Sequence, residues 1–557
     1  MSGRGGSASG AADPAPEAVS LDRWRRRRTT TSVVLGVLAL LLTVPATVAL
    51  ARDDDGLTRT TATADGLPVT LLVPDDGAPR PGVLVVHGFS GSAQLMDGVG
   101  LALARAGYAV GLVDLDGHGD NPRPLRLDDA VADPAQLDGD VAAAVDWLAA
   151  QPQVSRGPLA LVGHSMGAGA VVRYAAADAA GARRIGATVA ISLPDGDDVP
   201  AGDRAAPRDL LLLWGAAELA RCSDAGLEAL RRAYPGATTG VTYGDAEAGT
   251  ARRADVVPGV EHVSILFSGT TLDDTVGWLD EVYADASGLT SPGFDTRVLW
   301  LVVLLVGASL GFVPLARLAY GDRPAALRTQ EPSARAAVLP VGWALAIGVG
   351  SAAAATMVPW LLPAIGGVLP VAVGGYVWVW FGSAGLLAGV VAWVVATRRR
   401  GRPLVGPPSP TSLLRPVLAT LAMTSYAVAV LVLSGRATWS PFGFVGDRTW
   451  LVPVMDMAFL AYFWADERLA ARPRRGVRLA VAATNRAVGV ALILAATAVL
   501  GAPGFLVLLL PVMVLLYVLL GAWAHVVAGL THERWAPAVL QAVPLAYLVA
   551  TTFPLVG

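Results

Sequence analysis

The residues best placed to do chemistry lie in LALVGHSMGAGAVVRYA (Leu159–Ala175), where a short aliphatic run meets a helix-like tail of small residues. A serine stands at the junction, with glycines two places before and two places after it. G-x-S-x-G alone is a weak pattern. Between a buried strand and a helix it describes a strained turn that lifts a hydroxyl above the sheet edge. Leu159–Val162 read as that strand, Gly163 and Gly167 as the clearance around Ser165, and Ala168–Ala177 as the helix. The helix N-terminus also favours negative charge developing beside it. The spacing predicts a serine nucleophile for acyl transfer, with the Met166 N–H as one donor to the oxyanion.

The elements around this turn fit such a role. PGVLVVHGFSGS holds another apolar strand (Val83–Val86) running into His-Gly, and a loop in that position supplies the second N–H, assigned to Phe89. An amphipathic segment (LMDGVGLALARAGYAV) and a strand (VGLVDLDGHGDN) follow. Asp133–Ala150 read as a helix with Asp133 as N-cap and Pro134 in its first turn. Strand and helix go on alternating, which predicts a mostly parallel sheet covered by helices on both faces. Asp114, Asp116 and the Gly-His-Gly turn read as loop-ordering residues, not metal ligands.

HGFSG, DLDGHG, GHSMG, LLLWGAAEL and PGVEHVSILF, in this order, resemble the serine hydrolases of the α/β-hydrolase family over about residues 57–286. The resemblance implies the triad order nucleophile, acid, histidine. Of the six histidines, His525 and His532 lie in or beside apolar runs, while His87, His118 and His164 precede Ser165 in turn motifs. That leaves His262 as the general base. The resemblance places the acid three residues after Gly215, at Glu218, where aspartate is more usual; Asp224 is the alternative and Asp195 a more distant one. A metal or other cofactor is not expected. Only about sixteen residues, Pro194–Asp209, occupy the place where family members that accept bulky apolar substrates often insert a cap. A small lid at most is expected, with the membrane region or bilayer available to cover the site. The expected substrate is a small-molecule or lipid acyl ester, thioester or amide.

The rest of the chain decides where such a site would sit. The protein has 557 residues, a hydrophobic share of 54%, a net charge of −3 and a mean hydropathy of +0.53. All 42 basic side chains are arginine, a composition expected of a GC-rich bacterial genome. The single cysteine, Cys222, excludes an intrachain disulfide. No basic stripe or phosphate-cradling glycine loop points to nucleic acid or nucleotide partners.

The expected domains are an irregular N-terminus (1–28), a transmembrane anchor (29–52), an α/β domain (53–295) and a membrane domain of about eight helices (296–557). The first apolar run ends in an A-x-A site at Ala49–Ala51, so a cleaved signal peptide is its rival reading. Later spans are expected near 298–319, 336–357, 371–396, 414–434, 449–466, 479–500, 504–530 and 536–555. Arg317–Arg335, Arg398–Arg415 and Arg468–Arg478 mark loops rich in arginine; the alternate loops hold only Arg436 and Arg448 or none. The positive-inside rule then puts the rich loops in the cytoplasm and residues 53–295 outside it, at the plasma membrane. Asp456, Asn485, Arg486, His525 and Gln541 are the polar groups within spans. Two functions are consistent with this plan: a membrane-anchored serine hydrolase, or a transporter or sensor whose α/β domain binds without turnover.

Overall fold

The structure is a computed structural model that describes residues 16–52, 54–128, 131–283, 295–321, 338–362, 364, 367–400, 414–443, 448–472, 474–501, 504–531 and 533–557. The α/β domain is built on eight strands: β1 (Leu57–Ala64), β2 (Leu67–Pro74), β3 (Gly82–Val86), β4 (Ala109–Val113), β7 (Leu159–His164), β8 (Ile185–Ile191), β9 (Leu210–Gly215) and β10 (Arg252–Val257). A two-residue hairpin, β5 (Leu127–Asp128) with β6 (Val131–Ala132), stands apart. The sheet order is β1-β2-β4-β3-β7-β8-β9-β10. β2 runs antiparallel to both its neighbours, and the strands from β4 to β10 are parallel.

Strands β3, β4, β7, β8 and β9 are buried along their whole length. This explains why they read as continuous apolar runs, because a parallel sheet has helices on both faces. Alternation sorts the side chains: Val83 and Val85 join the core under α2 (Asp97–Arg105) and α6 (Gly269–Val282), whereas Leu84 and Val86 join the core under α3 (Pro134–Ala149) and α4 (Met166–Ala179). Helix α5 (Ala220–Ala233) covers β9 on the α4 side, with Trp214 and Leu230 in a shared cluster. Asp133 caps α3 as expected, accepting from the Ala135 N–H at 3.0 Å.

The remaining helices are long and apolar. They are α1 (Pro16–Ala51), α7 (Thr296–Tyr320), α8 (Val341–Leu361), α9 (Gly374–Arg400), α10 (Leu414–Arg436), α11 (Leu451–Leu469), α12 (Arg475–Leu500), α13 (Leu510–Leu530) and α14 (Trp535–Thr552). Among the described residues eight helices are long and apolar enough to cross a membrane. The 19-residue α11 is not one of the eight; it carries Asp456, Asp466, Glu467 and Arg468. Helix α1 takes in Arg23–Arg28, part of the stretch expected to be irregular. The run expected as a span over 504–530 is interrupted: a single turn, Phe505–Leu508, precedes α13.

Two features of the bundle follow from local chemistry. α1 lies along α7, where Gly307 and Gly311 form a G-x-x-x-G seam. A Cβ at Gly307 would come 2.8 Å from Thr43 Cγ2, and one at Gly311 would come 3.3 Å from Ala39 Cβ. Arg486 bonds Asp466 at 2.9 Å and Gln541 at 2.7 Å; Arg478 bonds Glu467. These two buried acids of α11, Asp466 and Glu467, are thus each paired with an arginine of α12.

Candidate active site

Ser165 occupies the turn between β7 and α4 with φ +52° and ψ −119°, a conformation strained for any residue but glycine. The flanking glycines make the turn possible. A Cβ at Gly163 would collide with the Gly167 carbonyl, and a Cβ at Gly167 would sit 2.5 Å from the His87 carbonyl. On the other side of the serine, a Cβ at Gly88 would lie 3.0 Å from Ser165 Cβ. The His-Gly loop therefore presses directly against the hydroxyl-bearing residue. Among the described residues the N–H groups of Phe89 and Met166 take up no backbone partner, which leaves both free for an incoming oxygen.

His262, in the turn after β10, places Nε2 2.9 Å from Ser165 Oγ. Its Nδ1 faces Glu218 Oε2 at 3.5 Å, the outer limit of a hydrogen bond. The Glu218 side chain is fully buried. Its other oxygen accepts from Ser192 Oγ and, at 3.1 Å, from the Gly215 N–H. Burial opposes its ionisation, but the bonds from His262, Ser192 and Gly215 outweigh that and hold its carboxyl below the ordinary glutamate value. Asp224 lies exposed on α5, and Asp195 is spent on capping a turn by accepting from the Asp197 N–H. Of the three acids considered, Glu218 is the one brought to the imidazole.

The other histidines hold the frame. His164 Nε2–H donates to the His262 carbonyl at 2.8 Å and so fixes the backbone that carries the base. Burial pushes His164 down to about 3, which keeps it neutral. His87 donates from Nδ1 to the Gly88 carbonyl at 2.8 Å and accepts from the Leu115 N–H at 3.1 Å. It ties the His-Gly loop to the loop after β4, and burial lowers it to about 4. Asp114 orders those same loops, accepting from the Ala93 N–H at 2.7 Å and the Asp120 N–H at 3.0 Å. Asp116 pairs with Arg123 at 2.7 Å.

Two neighbours of the acid escaped the sequence reading. Ser192 directly follows β8 at φ +57°, and only the sheet order brings it beside Glu218. Cys222 Sγ lies 3.8 Å from His262 Nδ1, so Glu218, Cys222 and His262 present three ligand-type atoms within 4.8 Å of one another. Burial and the Glu218 charge push the thiol up to about 12. Residues 192–209 contain one short 3-10 turn (Gly196–Asp198) and no helix, consistent with the small lid expected there.

Residues 77–195 match the family model described as serine aminopeptidase, S33. Similar solved structures include a dienelactone hydrolase from Anabaena variabilis (17% identity, 41% of this chain and 98% of that one, TM-score 0.30). A Pyrobaculum calidifontis esterase is also similar (16% identity, 45% and 94% of the two chains, TM-score 0.32). No curated protein matches this chain. The matched segment runs from before β3 through the Ser165 turn to the end of β8, and the surrounding sheet has β2 antiparallel and β3 between β4 and β7. Residues 57–283 are thus an α/β-hydrolase domain, joined in one chain to a bundle of long apolar helices.

Proposed function

We propose that the protein is a membrane-anchored serine hydrolase that cleaves an acyl ester, thioester or amide outside the cytoplasm. One observation carries the reading: Ser165 Oγ stands 2.9 Å from His262 Nε2 on a strained turn. In the proposed reaction Ser165 Oγ attacks the acyl carbonyl carbon while its proton passes to His262 Nε2. The Phe89 and Met166 N–H groups stabilise the oxyanion. The carbonyl re-forms, the bond to the leaving group breaks, and the leaving group takes the proton from His262. Water then repeats the sequence on the acyl-enzyme, releasing the acid and restoring Ser165. Glu218 keeps Nε2 unprotonated in the resting state and balances the imidazolium in between.

The side of the membrane rests on the arginine asymmetry. The helix ends that meet the hydrolase domain, at Arg297, Trp439, Arg448, Phe505 and Thr552, adjoin the arginine-poor connections. Labelling intact cells with a membrane-impermeant fluorophosphonate tests both halves. The expected result is a label on Ser165 in wild type and none in Ser165→Ala. A folded wild type that stays unlabelled in intact and opened cells would favour a binding module on a transporter or sensor. Labelling only after the cells are opened would reverse the orientation.

A further inference from the structure

Helix ends and connections from the membrane bundle converge on the two loops that frame Ser165. The first loop, His87–Ser92, carries the Phe89 N–H. Ser90 Oγ donates to the Thr552 carbonyl at the end of α14 (3.1 Å), and Ser92 Oγ donates to the Trp439 carbonyl after α10 (2.5 Å). Between them the Phe89 ring packs edge-on against Phe505 at 4.9 Å, and Phe505 packs in turn against Phe553 at 6.1 Å. The second loop follows β4 and supports the first through His87 and His118, whose rings lie 4.9 Å apart. There the Gly117 carbonyl receives Arg448 Nη2 at 2.8 Å and the Leu555 N–H at 2.9 Å, and the Leu125 N–H donates to the Leu555 carbonyl at 2.8 Å.

Arg448 is the junction. Its guanidinium is almost fully buried, and its Nη1 caps the last turn of α14 by donating to the carbonyls of Thr551 (3.2 Å) and Phe553 (2.8 Å). One side chain thus joins a bundle helix to the loop under the His-Gly turn. Burying a charge this deeply is costly; carbonyls from both domains meet Nη1 and Nη2, while Nε is left without a partner. At Gly117 (φ +77°) a Cβ would strike the Leu555 carbonyl, so the close approach is built into both partners.

We infer that the bundle is a working part of the catalytic site: through Ser90, Ser92 and Arg448 it sets the position of the Phe89 N–H against Ser165. The inference rests on the serine-hydrolase reading above. These three are positioning residues, since none of them is one of the reacting groups. The His-Gly loop has its serines, its aromatic side chain and its supporting loop all anchored on the bundle. A shift of those helix ends would therefore move an oxyanion donor, and a misplacement of about 1 Å costs on the order of a hundredfold in rate.

The test uses the full chain in detergent or nanodiscs, a short-chain p-nitrophenyl ester and a fluorophosphonate. Ser90→Ala/Ser92→Ala should lower kcat by about tenfold or more while KM stays within twofold. Phosphonylation of Ser165 should slow in parallel, and the melting temperature should hardly change. Ser92→Thr, which keeps the hydroxyl, should restore most of the rate lost in Ser92→Ala. Arg448→Met should reduce kcat further; if that variant fails to fold, the serine pair still decides. Wild-type kcat and labelling in the folded serine double variant would overturn the inference and leave the hydrolase reading standing. A wild type inert to both probes would overturn the two together.

Discussion

Replacing Glu218 by glutamine keeps the side-chain volume and removes the charge that faces His262. When His262 takes the serine proton, an imidazolium forms 3.5 Å from Glu218 Oε2. At an effective dielectric of about 20, unit charges at that separation attract by about 5 kcal/mol. Each tenfold in rate corresponds to about 1.4 kcal/mol, so the lost attraction is worth about three orders of magnitude in kcat/KM. Glutamine brings a further fault: its amide can turn an N–H toward Nδ1, which favours the wrong imidazole tautomer. Stability should suffer less, because glutamine can still accept from Ser192 and the Gly215 N–H as Glu218 does. The assay is kcat/KM for a short-chain ester, with melting temperature measured on the same preparation. Asp224→Ala, altering an exposed residue of α5, should leave both quantities at wild-type values. Glu218→Gln within threefold of wild type would refute the assignment of the acid, and a large loss in Asp224→Ala would transfer it.

Two further outcomes follow from buried charge. Burial raises the Asp114 carboxyl to about 7, above the value of about 3.9 expected in the unfolded chain. Between those values the folded state holds the extra proton, so stability should fall as pH rises from about 4 to about 7, by a few kcal/mol at most. Asp114→Asn should flatten that slope in melting temperature against pH; an unchanged slope would assign it to other groups. In the bundle, Arg486→Met leaves Asp466 buried without its partner, a loss of about 3–5 kcal/mol. Arg486→Met/Asp466→Asn should regain much of it in thermal unfolding in detergent, and a double variant no better than the single would argue against the pair.

Local pattern made the catalytic elements readable. Ser165 is announced by its glycines, β3 and β7 by unbroken apolar runs that only a doubly covered sheet needs, and His262 by its place downstream. Glu218 was preferred to Asp224 only through the resemblance, which places the acid three residues after Gly215, the last residue of β9. Ser192 left no such trace, since its proximity to Glu218 depends on β8 and β9 lying side by side. Arg448 was legible only as one charge in a poor loop. Its contacts with Gly117 and Phe553 join residues separated by 331 and 105 positions, and no periodicity encodes a pairing across such spans. For the same reason no local pattern marks the carbonyl of Trp439 as an acceptor for Ser92, 347 positions away.

The glycine seam between α1 and α7 has a consequence for how the whole machine is leashed. Residues before and after the hydrolase domain descend as two neighbouring helices in backbone-close contact, so the domain is a loop held at both feet. Swinging away would require prying that seam apart, which confines the nucleophile to one height and one heading. Proteolytic removal of α1 would free one foot and leave a groove along α7 shaped for another helix.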